Sequence, residues 1–193
     1  MGCSGSTPLC VNSRCVQCTA LANCPAGYVA CVNSSCVCRQ KDPNNLLANP
    51  GLETDLSGWS VNDGAAFKAW NSADADNCPA SGSLKVSGGQ GDVSQCLPIQ
   101  QNTPYIAGLK FKQDTGGAFT CSVSFWGDSN CNTDSIFDPN NPGQLRVDTP
   151  ATNWTGVSLR YFPPVGATFA QFLCGSGGTA FLDQFFFSTN GSF

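Results

Sequence analysis

From residue 84 onward, apolar and polar residues alternate in short runs, the period of a strand with one buried face. Leu84-Lys-Val86 and Val93 to Ile99 open the series. Tyr105, Ala107, Leu109 and Phe111 then alternate with Ile106, Lys110 and Lys112. Phe119, Cys121, Val123 and Phe125 alternate with Thr120, Ser122, Ser124 and Trp126. Val157, Leu159 and Tyr161 alternate with Ser158, Arg160 and Phe162. Ala170, Phe172 and Cys174 alternate with Gln171 and Leu173, and Phe181, Asp183, Phe185 and Phe187 close the chain on one expected face. Turn signals separate the runs at intervals of about ten residues, and no stretch has helical periodicity. The pattern predicts an all-β sandwich, with one set of strand faces inward and some opposite faces open to solvent or a ligand.

The first 38 residues follow a different rule. Cys3, Cys10 and Cys15 recur 21 residues later as Cys24, Cys31 and Cys36, and Cys18 and Cys38 close the two units. Cys10-Val-Asn-Ser-Arg-Cys15 answers Cys31-Val-Asn-Ser-Ser-Cys36. Neither unit is large enough to bury a core, so covalent staples must replace burial. Zinc held by Cys15, Cys18, Cys36 and Cys38 is the rival reading. The absence of histidine and the density of 13 cysteines favour disulfides and an oxidising compartment. Eight cysteines allow 105 pairings, and the sequence does not choose among them. The polar stretch 39–45, with Pro43 before two asparagines, reads as a linker. Two domains are therefore expected: a disulfide-rich module over 1–41 and a β-sandwich over 42–193.

Composition narrows the function. Hydrophobic residues make up 41% of the 193, enough for a core, while charged residues reach only 11%. A net charge of −4 without a basic cluster argues against nucleic acid, which needs grouped Lys and Arg for phosphate contacts. No apolar run is long enough to span a bilayer. Met1-Gly2-Cys3 opens with neither a charged nor an apolar leader region, so no signal peptide is expected within this sequence. The cysteine usage nevertheless points to a secreted or extracellular protein.

Catalysis finds few candidates. Without histidine, Ser-His and Cys-His nucleophile pairs and histidine-ligated metals are excluded. A glycosidase needs two carboxylates at a set separation. Glu53 is the single glutamate, and most of the twelve aspartates sit in turn-like strings such as Asp74-Ala-Asp76. The expectation is a protein that is not an enzyme.

The segment Leu46-Leu-Ala-Asn-Pro-Gly-Leu-Glu53, then Leu56-Ser-Gly-Trp59, resembles the opening of jelly-roll carbohydrate-binding modules of families four, nine, sixteen and twenty-two. Trp154-x-x-Val157-Ser, Pro163-Pro-Val-Gly-Ala167 and Phe181-Leu-Asp183 fit the later strands of such modules, and Leu52 stands where they usually carry Phe. The likeness covers residues 46–189. It implies a jelly-roll fold, glycan binding, packing roles for Trp59 and Trp154, and a structural calcium held by Glu53 and Asp183 with backbone carbonyls. The N-terminal repeats resemble, more loosely, cysteine-rich repeats of secreted bacterial proteins.

The residues themselves suggest where a sugar would sit. Trp126 shares a strand face with Ser122 and Ser124, and Trp70 lies in a polar stretch with no evident reason to bury it. Both are candidate platforms for stacking on a pyranose. Lys110, Lys112, Arg160, Gln171 and Gln184 point away from the core by alternation, and Lys112, Arg160 and Gln171 are the chosen polar partners. For the later cysteines, short loop closure suggests Cys121–Cys131 and Cys78–Cys96, leaving Cys174 as a buried free thiol. The leading reading is non-catalytic binding of a polysaccharide or oligosaccharide. The alternative is an extracellular adhesion or assembly protein, with residues 3–38 as the protein-contact surface and the jelly roll as scaffold.

Overall fold

The computed structural model describes residues 9–191, apart from 12–13, 27, 39–41, 62–67, 80, 88–92, 114–116, 140, 142 and 150. The cysteine repeats form two hairpins, β1 (Leu9–Val11) with β2 (Arg14–Val16), and β3 (Ala30–Val32) with β4 (Ser35–Val37). A single 3-10 turn at Leu21–Asn23 lies between them. Asn33 and Ser34 adopt φ of 48° and 66°, the left-handed pair that a two-residue hairpin turn demands. Asn33-Ser34 is thus turn chemistry.

The larger part is a sandwich of antiparallel strands: β5 (Ser60–Val61), β6 (Lys68–Asn71), β7 (Ser83–Ser87), β8 (Val93–Pro98), β9 (Tyr105–Gln113), β10 (Phe119–Trp126), β11 (Ser135–Ile136), β12 (Leu145–Val147), β13 (Thr155–Tyr161), β14 (Phe169–Ser176) and β15 (Thr179–Ser188). One sheet runs β11-β10-β14-β8-β5, with β12 also paired to β10. The other runs β13-β9-β15-β7-β6. The seven long alternating runs of the sequence are the seven long strands. β5, β6, β11 and β12 are short additions at sheet edges, two to four residues each, too brief for a period to register.

Inward faces build the core expected of them. Trp59 packs at 4.6 Å on Phe185 and at 6.5 Å on Phe172, and Tyr105 stacks on Phe187 at 4.9 Å. The segment before the first sandwich strand closes the core by gripping both sheets. Asn45 donates to the Phe185 carbonyl and accepts from the Phe187 amide, while Gln95 of β8 both accepts from and donates to the backbone of Ala48. Leu47 and Leu52 drop into the gap fully buried.

Two expectations are corrected here. Phe181, Asp183, Phe185 and Phe187 do not share a face. A bulge between Asp183 and Phe186, with Gln184 at φ 51°, resets the phase of β15. Leu182 points inward before the bulge, Phe185 and Phe187 after it. Gln184, expected on the outer face, is consequently buried.

The cysteine pairings also differ. Cys121 bonds Cys174, Cys96 bonds Cys131 and Cys78 bonds Cys38. Cys121 and Cys174 are register partners on neighbouring strands and meet in the core, so Cys174 is not a free thiol. Cys78 takes the last cysteine of the repeats, tying the N-terminal module to the sandwich. In the repeats, Cys18–Cys31 joins the two units and Cys24–Cys36 staples the second. The sulfurs of Cys18, Cys24 and Cys36 lie within 4.8 Å of one another because these two bonds pack together, so the zinc reading has no free thiolates there.

Candidate functional site

Strand register assigns the predicted sugar-binding residues to places the sequence left open. On the outside of the six-stranded sheet, Trp126 of β10 pairs with Phe169 of β14, which pairs with Pro98 of β8. The next outward row is Ser124, Gln171 and Cys96, followed by Ser122, Leu173 and Ser94. An apolar row with two aromatics therefore adjoins a row of hydroxyl and amide groups. Trp126, Phe169, Gln171, Ser122 and Ser124 are all half-buried, so each retains exposed surface. The Trp126 Nε1 is buried without a hydrogen-bond partner, so packing alone holds the indole.

A stapled loop walls this face. Residues 127–134 leave the end of β10 and reach across β14 to β8 through Cys96–Cys131. Asp128 organises the loop from within: its carboxylate accepts the amides of Asn130, Thr133 and Asp134 at 2.9, 3.1 and 3.1 Å. Those bonds, that from Asp134 foremost, hold its pKa down at about 2. Cys131 accepts a left-handed φ of 51° to make its bond. At the loop's far end, Phe137 follows β11 and is 86% exposed. Sequence reasoning passed over Phe137 because it lies among Asp, Pro and Asn; a large aromatic with no strand to bury it was the available signal.

The other predicted residues are elsewhere. Lys112 and Arg160 stand on the outside of the five-stranded sheet, across the sandwich from Trp126 and Gln171. Alternation told outside from inside but not which outside. Trp70 belongs to β6 and pairs with Leu84, a core residue. Its indole donates to the Leu52 carbonyl at 2.7 Å and packs so closely on Gly82 that a Cβ there would meet the ring at 2.6 Å. At 37% exposure Trp70 is a lid on the sandwich edge, not a member of the Trp126 face. Trp59 is buried in the core and Trp154 half-buried.

Glu53 and Asp183, distant in sequence, line one small pocket together with Cys38, Gly51, Asp74, Asp76, Ser81 and Gln184. Asp183 is wholly buried, with one oxygen accepting the Gln184 amide at 2.6 Å and the other the Ala75 amide at 2.9 Å. Gly51 makes room for Glu53: a Cβ on it would lie 3.0 Å from Oε1. Leu52 and Gln184, the neighbours of the two carboxylates, both hold left-handed φ, 49° and 51°. Such strain in non-glycine residues is retained where it positions something. Asp74 accepts the Asp76 and Cys78 amides at one carboxylate oxygen, and Asp76 pairs with Lys110 at 3.1 Å.

No family model matches the sequence, and no curated protein matches it either. Solved structures do match. A family 16 carbohydrate-binding module aligns at TM-score 0.55 and 20% identity, over 74% of this chain and 99% of the other. A family 61 module, solved with β-1,4-galactotriose, aligns at 0.53 and 18%, over 74% and 97%. The fold is the jelly roll of carbohydrate-binding modules. The enzymatically active domain of tailspike protein 4 from bacteriophage CBA120 also aligns, at 0.57 and 15%, over 75% of this chain. This chain spans only 21% of that one. At these identities the likeness establishes the jelly-roll sandwich, which the small disulfide-rich module precedes. Among the described residues, no helix is long and apolar enough to cross a membrane.

Proposed function

We propose that this protein is a secreted, non-catalytic module that binds a polysaccharide or oligosaccharide on the outer face of its six-stranded sheet. The observation that carries the proposal is the register itself. It sets Trp126 and Phe169 beside Gln171 and Ser124, under a wall stapled by Cys96–Cys131. Pyranose rings present flat C–H faces to aromatics and hydroxyls to amides, and adjacent rows of both kinds serve that chemistry. Phe137 extends the aromatic surface toward solvent. The galactotriose complex of the family 61 neighbour lends the reading support by analogy of fold.

Glu53 and Asp183 fit a structural calcium. Their oxygens are hard donors, Gly51 lines the same pocket, and two left-handed residues hold the carboxylates there. Bound there, the ion would tie the segment after Pro50 to β15 and offset the cost of burying Asp183.

The test is retention on a panel of neutral polysaccharides, with Trp126→Ala beside the unaltered chain. Truncating an aromatic anchor should weaken binding by about tenfold or more, at unchanged melting temperature. Equal binding by Trp126→Ala, or no retention on any glycan, would sink the proposal. In the second case, the exposed Leu21, Val29 and Val32 of the repeats favour the protein-contact reading.

A further inference from the structure

The cysteine that closes each repeat bonds outside its own unit: Cys18 reaches Cys31 of the second unit, and Cys38 reaches Cys78 of the sandwich. The link from repeat to repeat is thus continued as a link from repeat to sandwich. Cys78 lies in the loop between β6 and β7, and several bonds dock that loop. The Asp183 carboxylate accepts the Ala75 amide at 2.9 Å, and Ser81 donates to the Gly51 carbonyl at 3.1 Å. Within the loop, the Asp74 carboxylate accepts the Asp76 and Cys78 amides at 2.9 and 2.7 Å. Lys110, paired with Asp76, anchors the same loop to β9. Cys38 and Cys78 are buried there, 4% and 3% exposed. The loop and its disulfide also build the carboxylate pocket, for Cys38, Asp74, Asp76 and Ser81 line it together with Glu53 and Asp183.

We propose that calcium in this pocket guards the Cys38–Cys78 bond, and so decides whether an external dithiol can uncouple the repeats from the sandwich; the proposal rests on the calcium reading of Glu53 and Asp183. The pocket is complete only while the β6–β7 loop is docked, because Asp74, Asp76 and Ser81 come from that loop and Cys38 is held by it. An ion that binds the assembled pocket therefore stabilises the docked loop against the open one. Reduction needs the open one, since a thiolate must reach a sulfur and both are buried. The thiolate then bonds that sulfur, the S–S electron pair passes to the other cysteine, and the reductant's second thiol resolves the mixed disulfide. The dithiol gives up two electrons and leaves as its own disulfide, while Cys38 and Cys78 take up protons as thiols. Linkage is reciprocal, so breaking the bond must weaken calcium binding. In calcium-poor, reducing surroundings the repeats stay attached through the chain alone. A calcium-rich medium keeps the second tie in place.

The experiment times the reduction of each disulfide in the whole chain by dithiothreitol, in chelator and across a calcium series. Freed thiols are alkylated and assigned by mass spectrometry. The rate at Cys38–Cys78 should fall about tenfold for each tenfold of calcium above the dissociation constant. Cys96–Cys131, whose Cys96 is exposed on the other sheet, should reduce at one rate throughout. Glu53→Gln should raise the Cys38–Cys78 rate in calcium to the rate in chelator. The calcium series on the unaltered chain stands by itself if that variant melts early. Melting temperature of the oxidised chain, with and without calcium, separates the two claims. A transition that rises with calcium beside an unchanged reduction rate overturns the guard and leaves the ion in place. A transition indifferent to calcium overturns both. Equal slowing at Cys96–Cys131 would mean that calcium acts on the reductant, and the guard falls in that case too.

Discussion

The cysteine repeats and the sandwich solve the same stability problem by opposite means. Among the described residues up to 38, the buried apolar ones are Cys18 and Cys38, while Leu21, Val29 and Val32 are 49%, 48% and 39% exposed. Here two sulfurs are inside and three aliphatic side chains outside. In the sandwich a cluster of aromatics forms the interior, and its two internal disulfides join strands or loops that packing already holds together. A covalent bond acts chiefly by restricting the unfolded chain, whereas burial acts through the folded one. Connectivity should therefore matter most where burial is least.

The largest test of this contrast is Cys24→Ser with Cys36→Ser. The bond closes a loop of sequence separation 12, which corresponds to about 3 kcal/mol, more than a short hairpin with no core can supply. Limited proteolysis should then cut within 19–37 while calorimetry finds the sandwich transition unmoved. A lowered sandwich transition would show that the repeats brace the larger domain through Cys38–Cys78, and the contrast would fail.

How much of this was legible from sequence follows from the same difference. Alternation located the seven long strands, because a half-buried strand must alternate. It carried no information about which sheet a strand joins, so Lys112 and Arg160 were grouped with Trp126 and Gln171 although the sandwich separates them. It ran unbroken through Leu182-Asp183-Gln184-Phe185, where a single left-handed residue resets the phase. Disulfide partners were sought by short loop closure. Cys121 instead found Cys174 across the sheet, at a sequence separation of 53. The pairing of Glu53 with Asp183 at one pocket came from family resemblance, since no local pattern joins residues so far apart.

An intermediate test concerns that pocket. With calcium saturating Glu53 and Asp183, a hundredfold excess over the dissociation constant stabilises by about 2.7 kcal/mol. Chelation should lower the sandwich transition by several degrees, and Glu53→Gln should remove the response to added calcium. The repeats contain no carboxylate between residues 9 and 38, so their protease resistance should not change. A melting temperature indifferent to chelator would exclude the ion.

The smallest expected effect again separates the two regions, now by pH. Asp128 is the carboxylate around which loop 127–134 is wound, and the amides of Asp134, Thr133 and Asn130 favour its charged form. Its folded pKa, about 2, lies below the unfolded 3.8. A depressed carboxylate contributes stability that is fully present above the unfolded value and is lost as pH falls through the folded one. The loop should therefore loosen between about pH 4 and pH 2, and the repeats, without a carboxylate, should not respond. Carbon-13 titration of the Asp128 carboxyl measures the first half of this, and Trp126 fluorescence, at the foot of the wall, the second. Asp128→Asn retains one acceptor oxygen and should flatten the fluorescence change across that window. A midpoint near 3.8 for Asp128 would mean that the three amides do not grip it in solution, and that Cys96–Cys131 and the loop's backbone bonds hold the wall of the Trp126 face without them.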